Sequence, residues 1–124
     1  SNDPFFVEIA PLNTNFYNEK QKELSSIPLE SVIFPKTVYM VVDKKIELEI
    51  KFLKDFPEWQ FLPEIDLERK AIEIFVDLKN AKKACNKDQK VIKVPNTNVF
   101  QIVAPILMAR GISRMIKEDK LIAI

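Results

Sequence analysis

Between Ile46 and Phe52 apolar and charged positions alternate without a break: Ile46, Leu48, Ile50 and Phe52 interleave with Glu47, Glu49 and Lys51. A period of two places one set on one face of a strand, which predicts a central or near-central strand with those four apolar side chains inward. Just upstream, Thr37 to Val42 is rich in β-branched and aromatic residues and reads as a second strand, joined to the first by the polar turn Asp43-Lys44-Lys45. After Pro63 the spacing becomes helical, with Leu67, Ala71, Phe75, Leu78 and Ala81 on one face. Glu64, Asp66 and Glu68 suit the positive end of that helix. Ile72, Ile74, Val76 and Leu78 also lie two apart, so a helix is expected to about Glu73, with 74–78 open between helix and strand.

Farther on, Val91 to Val94 reads as a strand and Pro95-Asn96-Thr97 as the stop and cap before a helix over Asn98 to Arg110, closed by Gly111. Val99, Phe100, Ile102, Val103, Ile106, Leu107 and Met108 make that helix apolar almost all round, so it should be the most buried element. Pro105 inside it should kink it. Ile112 to Ile116 and Leu121 to Ile124 read as a closing strand pair. The Lys-rich residues Asn80 to Gln89 read as a weakly structured connection, and Asp55 to Pro63 as a loop. At the start, Phe5 to Leu12 suggests an extended lead-in or edge strand, and Asn13 or Thr14 would cap a helix to Leu24. The sum is an α+β fold: one small domain over residues 1–124, with a β-hairpin-based mixed sheet packed against two or three helices.

Composition changes that picture mainly by what it removes. There is no histidine, which takes away the usual general base near neutral pH and most transition-metal sites. Gly111 is the sole glycine, so no loop can cradle phosphates with its backbone. A non-enzymatic protein with no cofactor and no metal is the expectation; carboxylate chemistry with Mg²⁺ is the only catalytic class left. The lone Cys85 cannot form an internal disulfide, which favours an intracellular setting, cytoplasmic or nuclear. No membrane-spanning run and no signal peptide are visible. The opening Ser1-Asn2 would suit a tag remnant, so the chain could be an excised piece of a larger protein.

Charge adds the strongest functional hint. Residues 1–78 hold nine Lys and Arg against fifteen Asp and Glu, whereas residues 79–124 hold ten against three. Such segregation speaks of surfaces and partners. In the basic half, Lys79, Lys82, Lys83, Lys87, Lys90 and Lys93 are opposed only by Asp88, and Arg110 and Arg114 extend the set if they share its face. Lysines without interleaved aromatics suit contacts to phosphate backbone and not to bases. A solvated surface run is the plain alternative. Phe56, Trp59 and Phe61, in the loop that holds Pro57 and Pro63 and near Glu58, Glu64 and Asp66, form a second candidate. That aromatic loop could anchor a protein partner, hold a cationic or methylated base, or fill satellite core.

Three families are similar to parts of the chain. Residues 71–119, through Ile72 to Leu78, Val91-Ile92-Lys93-Val94-Pro95 and Arg110-Gly111-Ile112, resemble the small β-rich domain of GINS replication proteins. Residues 91–124, through Val94-Pro95-Asn96-Thr97, Gly111-Ile112-Ser113-Arg114 and Asp119-Lys120-Leu121-Ile122, resemble half of a cystathionine-β-synthase-type nucleotide-sensing domain. Residues 16–66, with a helix, a hairpin and the Pro57 to Pro63 segment, are similar in order to RWD or ubiquitin-conjugating-like domains, without a counterpart of the catalytic cysteine. All three resemblances imply an interaction module. The expected function is therefore docking within a larger assembly, with another protein subunit as the partner. A nucleic-acid-binding module of a replication or transcription machine, and a base-binding pocket at Trp59, are the alternatives.

Overall fold

The computed structural model describes residues 26–124, and β6 (Ile112–Lys117) lies at the middle of its larger sheet. That mixed sheet runs in the order β1 (Ile27–Pro28), β7 (Lys120–Ala123), β6, β4 (Lys70–Ile74), β3 (Ile50–Phe52). Strand β6 is parallel to β4 and antiparallel to β7, while β3 and β1 close the two edges. A second sheet pairs β2 (Val38–Asp43) with β5 (Gln89–Val94), antiparallel from Val38 opposite Val94 to Asp43 opposite Gln89. Tyr39 and Phe75 exchange backbone hydrogen bonds of 2.7 and 2.8 Å, which tie β2 to the chain just past β4. Three helices complete the described residues: α1 (Glu64–Leu67), α2 (Leu78–Ala84) and α3 (Val99–Ala109).

The period of two in β4 divides two cores. Ile72 and Ile74 face one of them, with Val38, Met40, Ile112, Met115 and Ile122, beneath Phe100 and Leu107 of α3. Ala71 faces the other, with Ile116 and Leu121, beneath Leu53, Phe56, Trp59 and Leu62. A register shift between Lys70 and Ala71 leaves Ser113 of β6 as an extra residue, because Lys70 pairs with Ile112 and Ala71 with Arg114. The bulge re-aims the strand, so Ile112 and Met115 reach the same core although three residues apart, and Arg114 turns to the second face with Ile116.

Several elements depart from the sequence expectation. The alternating run does not make a central strand over 46–52. The chain bridges β2 only at Leu48, then leaves to pair as β3 at the sheet edge. Ile46 takes a left-handed conformation (φ 64°) at a turn where the Asp43 carboxylate accepts from the N–H groups of Lys45 and Glu47, and both Ile46 and Ile50 are exposed. Two edges already occupy β2, β5 along its length and Phe75 at one end, so the alternating segment has little room to pair there. The helix expected to Glu73 ends at Leu67, and 70–74 is strand. Two β-branched isoleucines there bury better on a pleated sheet, so the period of two wins over the helical one. The Lys-rich connection contains helix α2, whose Asp77 side chain caps it by accepting from Lys79 N–H at 2.9 Å. Helix α3 continues through Pro105 as placed, yet only Phe100 and Leu107 are buried; Val103 is half-buried, and Ile102 stands 74% exposed. It is not the most buried element, because it covers one sheet from a single side. The strand at 5–12 and the helix at 13–24 lie outside the described residues.

Candidate functional site

Helix α2 packs on β2 and β5. Val38, Met40, Ile92 and Val94 face the first core, so the other face of this two-stranded sheet carries Val41 and Val91, and α2 covers it with the fully buried Ala81. At about 100° per helical residue, Lys79 and Lys83 fall nearly opposite Ala81, and Lys82 lies beside them about a quarter-turn from Ala81. All three are exposed. Lys82 and Lys83 occupy the last turn, where cations favour the helix's negative end. Lys87 follows in the loop, and β5 carries Lys90 and Lys93, all exposed. Alternation sends Lys93, opposite Tyr39, to the α2 side and Lys90, opposite Val42, to the other side of the strand.

Among the described residues none of these six lysines makes an ion pair. The nearby acids are otherwise engaged: Asp77 caps α2, and Asp88 lies 3.8 Å from Lys44. Among the described residues β5 pairs with β2 alone, and its lysines discourage pairing of its other edge with another strand. Among the described residues, then, α2, the loop after it and the α2 side of β5 carry exposed lysines without ion pairs, and Lys90 lies on the opposite side of the strand.

The two arginines do not join these lysines. Arg110 is exposed at the C-terminal end of α3, where its N–H bonds back to Ile106 and Leu107. Arg114 is only 9% exposed and lies on the second face of the larger sheet, near Arg69 and Asp66. Burial first, and then the charge of Arg69, hold its pKa below the usual guanidinium value, while Asp66 acts the other way. Nothing in the spacing of residues 110–114 revealed the Ser113 bulge that turns Arg114 to that face.

The aromatic loop is mostly core. Phe56 and Trp59 are buried on the second face, and of the three aromatics only Phe61 projects, at 70% exposure. Trp59 and Phe61 sit with ring centroids 6.0 Å apart. Among the described residues the buried Trp59 Nε1–H has no acceptor, and Trp59 lines an open cleft of about 340 Å³ together with Phe61, Asp119, Lys120 and Leu121. With Phe56 and Trp59 buried, the loop presents no paired aromatic faces to grip a cationic or methylated ring. Lys51 instead sits 5.3 Å from the Phe56 ring centroid, closing that side. No group of three or more His, Cys, Asp or Glu among the described residues is arranged to hold a metal ion. Cys85 ends α2, half-buried, with its thiol near the Asn86 carbonyl at 3.6 Å.

The fold defines a small α+β domain with exposed lysines on α2 and β5. Residues 27–124 match the model of the C-terminal domain of cyanobacterial transposase-derived proteins, and the chain belongs to that family. The match begins where β1 begins and runs to the last residue. No curated protein and no solved structure matches the chain. No helix among the described residues is long and apolar enough to cross a membrane.

Proposed function

We propose that the domain is a non-enzymatic interaction module whose α2–β5 lysine face contacts the phosphates of a nucleic acid. One observation carries the reading: Lys79, Lys82, Lys83, Lys87 and Lys93 are exposed on α2, the loop after it and the α2 side of β5, and among the described residues no carboxylate pairs with them. Derivation of the family from transposases, which act on DNA, supports the same partner class. Lysines at loop and helix positions grip backbone charge without reading bases, so binding should be indifferent to sequence. A protein partner is the second reading. The exposed side of α3, where Ile102 and Ile106 stand outward, favours it, since soluble proteins seldom leave such stripes open.

Reversing two charges tests the first reading. Lys82→Glu with Lys83→Glu should weaken binding of labelled single- and double-stranded oligonucleotides by the same factor for every sequence tried. Stability should shift by less than about 0.5 kcal/mol, because both side chains are exposed. If the unaltered domain binds no oligonucleotide even at low salt, the phosphate reading is lost and the protein-partner reading takes its place.

A further inference from the structure

Helix α3 carries no charged side chain from Val99 to Ala109, and Arg110 is the first charge beyond it. Phe100 and Leu107 point into the first core, with the helix lying against β6. The chain that follows β1 covers one flank. There Gln101 Nε2 donates to the Leu29 carbonyl at 3.4 Å, and the Thr97 hydroxyl donates to the Pro35 carbonyl at 2.7 Å. The Phe34 and Phe100 ring centroids lie 5.4 Å apart. At about 100° per residue, Ile102, Pro105, Ile106 and Ala109 fall on the side away from Phe100 and Leu107, with Val99 at its margin. All five are exposed, Ile106 at 61%.

The first clue to what fits this side is its symmetry. Ile102 and Ile106 stand equally far before and after Ala104, and so do Val99 and Ala109. A two-fold axis over Ala104 therefore sets Ile102 of one copy against Ile106 of the other, and Val99 against Ala109, each contact occurring twice. That reciprocity is what a contact between identical surfaces requires. Charge is the second clue. A side without charge has nothing with which to select a charged partner and nothing to repel its own copy. Antiparallel packing about that axis keeps the two Arg110 backbones about 18 Å apart along the helices, well beyond the screening length of about 8 Å in physiological salt. It also opposes the two helix dipoles favourably, whereas parallel packing would bring both arginines together. The open apolar surface is on the order of 400 Å² per copy, about half of what a standard interface takes from each partner, so the association should be weak and reversible.

We propose that the outer side of α3 pairs with the same side of a second copy of this chain, antiparallel about a two-fold axis over Ala104. The proposal rests on the protein-partner reading of α3 given above and names that partner. It is independent of the lysine face, since α2 packs on the other sheet.

Sedimentation equilibrium over a wide concentration series tests it on the full chain. The average mass should climb from one chain toward two. Ile102→Lys should weaken this association about a hundredfold, because the new charge is buried at both copies of the contact. Ile106→Glu alone should do the same. An equal mixture of the two variants should associate again, since the opposite charges then meet across the axis, which loss of fold could not produce. Both variants should melt with the unaltered chain, as both side chains are exposed. Where either does not, a photo-reactive benzophenone side chain at position 102 of the otherwise unaltered chain serves instead. It should cross-link two copies through residues 99–110. A single-chain mass at every concentration, a dimer indifferent to Ile102→Lys, or no rescue in the mixture would overturn the pairing. A cross-link within one chain would show that the chain covers its own helix, and the protein-partner reading would fall with it. A monomer without any cross-link removes only the second copy and leaves that reading for a different protein. Lys82→Glu with Lys83→Glu should leave the association unchanged.

Discussion

Leu107 and Glu73 show how differently single residues hold this domain. Leu107 reaches from α3 into the first core and is 6% exposed. Leu107→Ala should cost about 2–5 kcal/mol in urea unfolding, through lost burial and the cavity left behind. A cost below about 1 kcal/mol would mean that α3 does not close this core. Glu73 lies on the second face of β4, 3.5 Å from Lys51. Its burial raises the carboxyl pKa, and the nearby Lys51 only partly opposes this. The folded state therefore holds this proton more tightly than the unfolded chain. Its stabilising effect is fully present below the ordinary carboxylate pKa and is lost as pH rises through the raised folded value. Glu73→Gln should accordingly flatten the decline in stability across weakly acidic pH. An unchanged pH profile of thermal unfolding in that variant would remove Glu73 as the cause.

At the level of elements, legibility followed how clearly the ends of an element were marked in the sequence. Strands β5, β6 and β7 were readable because four to six residues of β-branched and apolar type ended at clear polar stops. Helix α3 was readable from the Pro95 stop before it and from Gly111, which adopts φ 80° where the chain turns into β6, although its N-cap Asn98 makes no side-chain cap and the Thr97 hydroxyl donates to the Pro35 carbonyl instead. Gly111→Ala should cost about 1 kcal/mol through that left-handed backbone alone, as nothing lies within 4 Å of an added Cβ. A neutral result in thermal melts would show that the turn relaxes. The residues over 46–52 and 64–74 misled for one reason: local periodicity does not say which neighbour a segment will find. Ile46 satisfies the strand pattern yet sits in a turn set by Asp43, while Ile72 and Ile74 satisfy two patterns and a parallel partner, β6, selects one. Lysines hid α2, because a helix with one small buried residue, Ala81, leaves almost no apolar signature. Exposure on α3 was equally hidden, since Ile102 and Leu107 look alike in sequence and differ only in which side meets the sheet.

For the whole molecule, charge segregation along the chain is not segregation in space. Strand β2 of the acidic half pairs with β5 of the basic half, and β4 lies against β6, so the halves interleave. What survives folding is the local run on α2 and the α2 side of β5, while Lys90 turns to the strand's other side and Arg114 is carried to another sheet. The candidate lysines were visible in sequence; their common support was not, because it depends on α2 docking across a two-stranded sheet whose strands lie far apart in the chain. The central claim is that this cluster releases counterions from nucleic acid. Affinity for one duplex oligonucleotide, measured across a salt series for the unaltered domain and for Lys82→Glu with Lys83→Glu, tests it most directly. A log–log slope that is steep for the first and shallower by about 0.9 for each lysine that met a phosphate is the predicted result. Parallel slopes for the two proteins would contradict it.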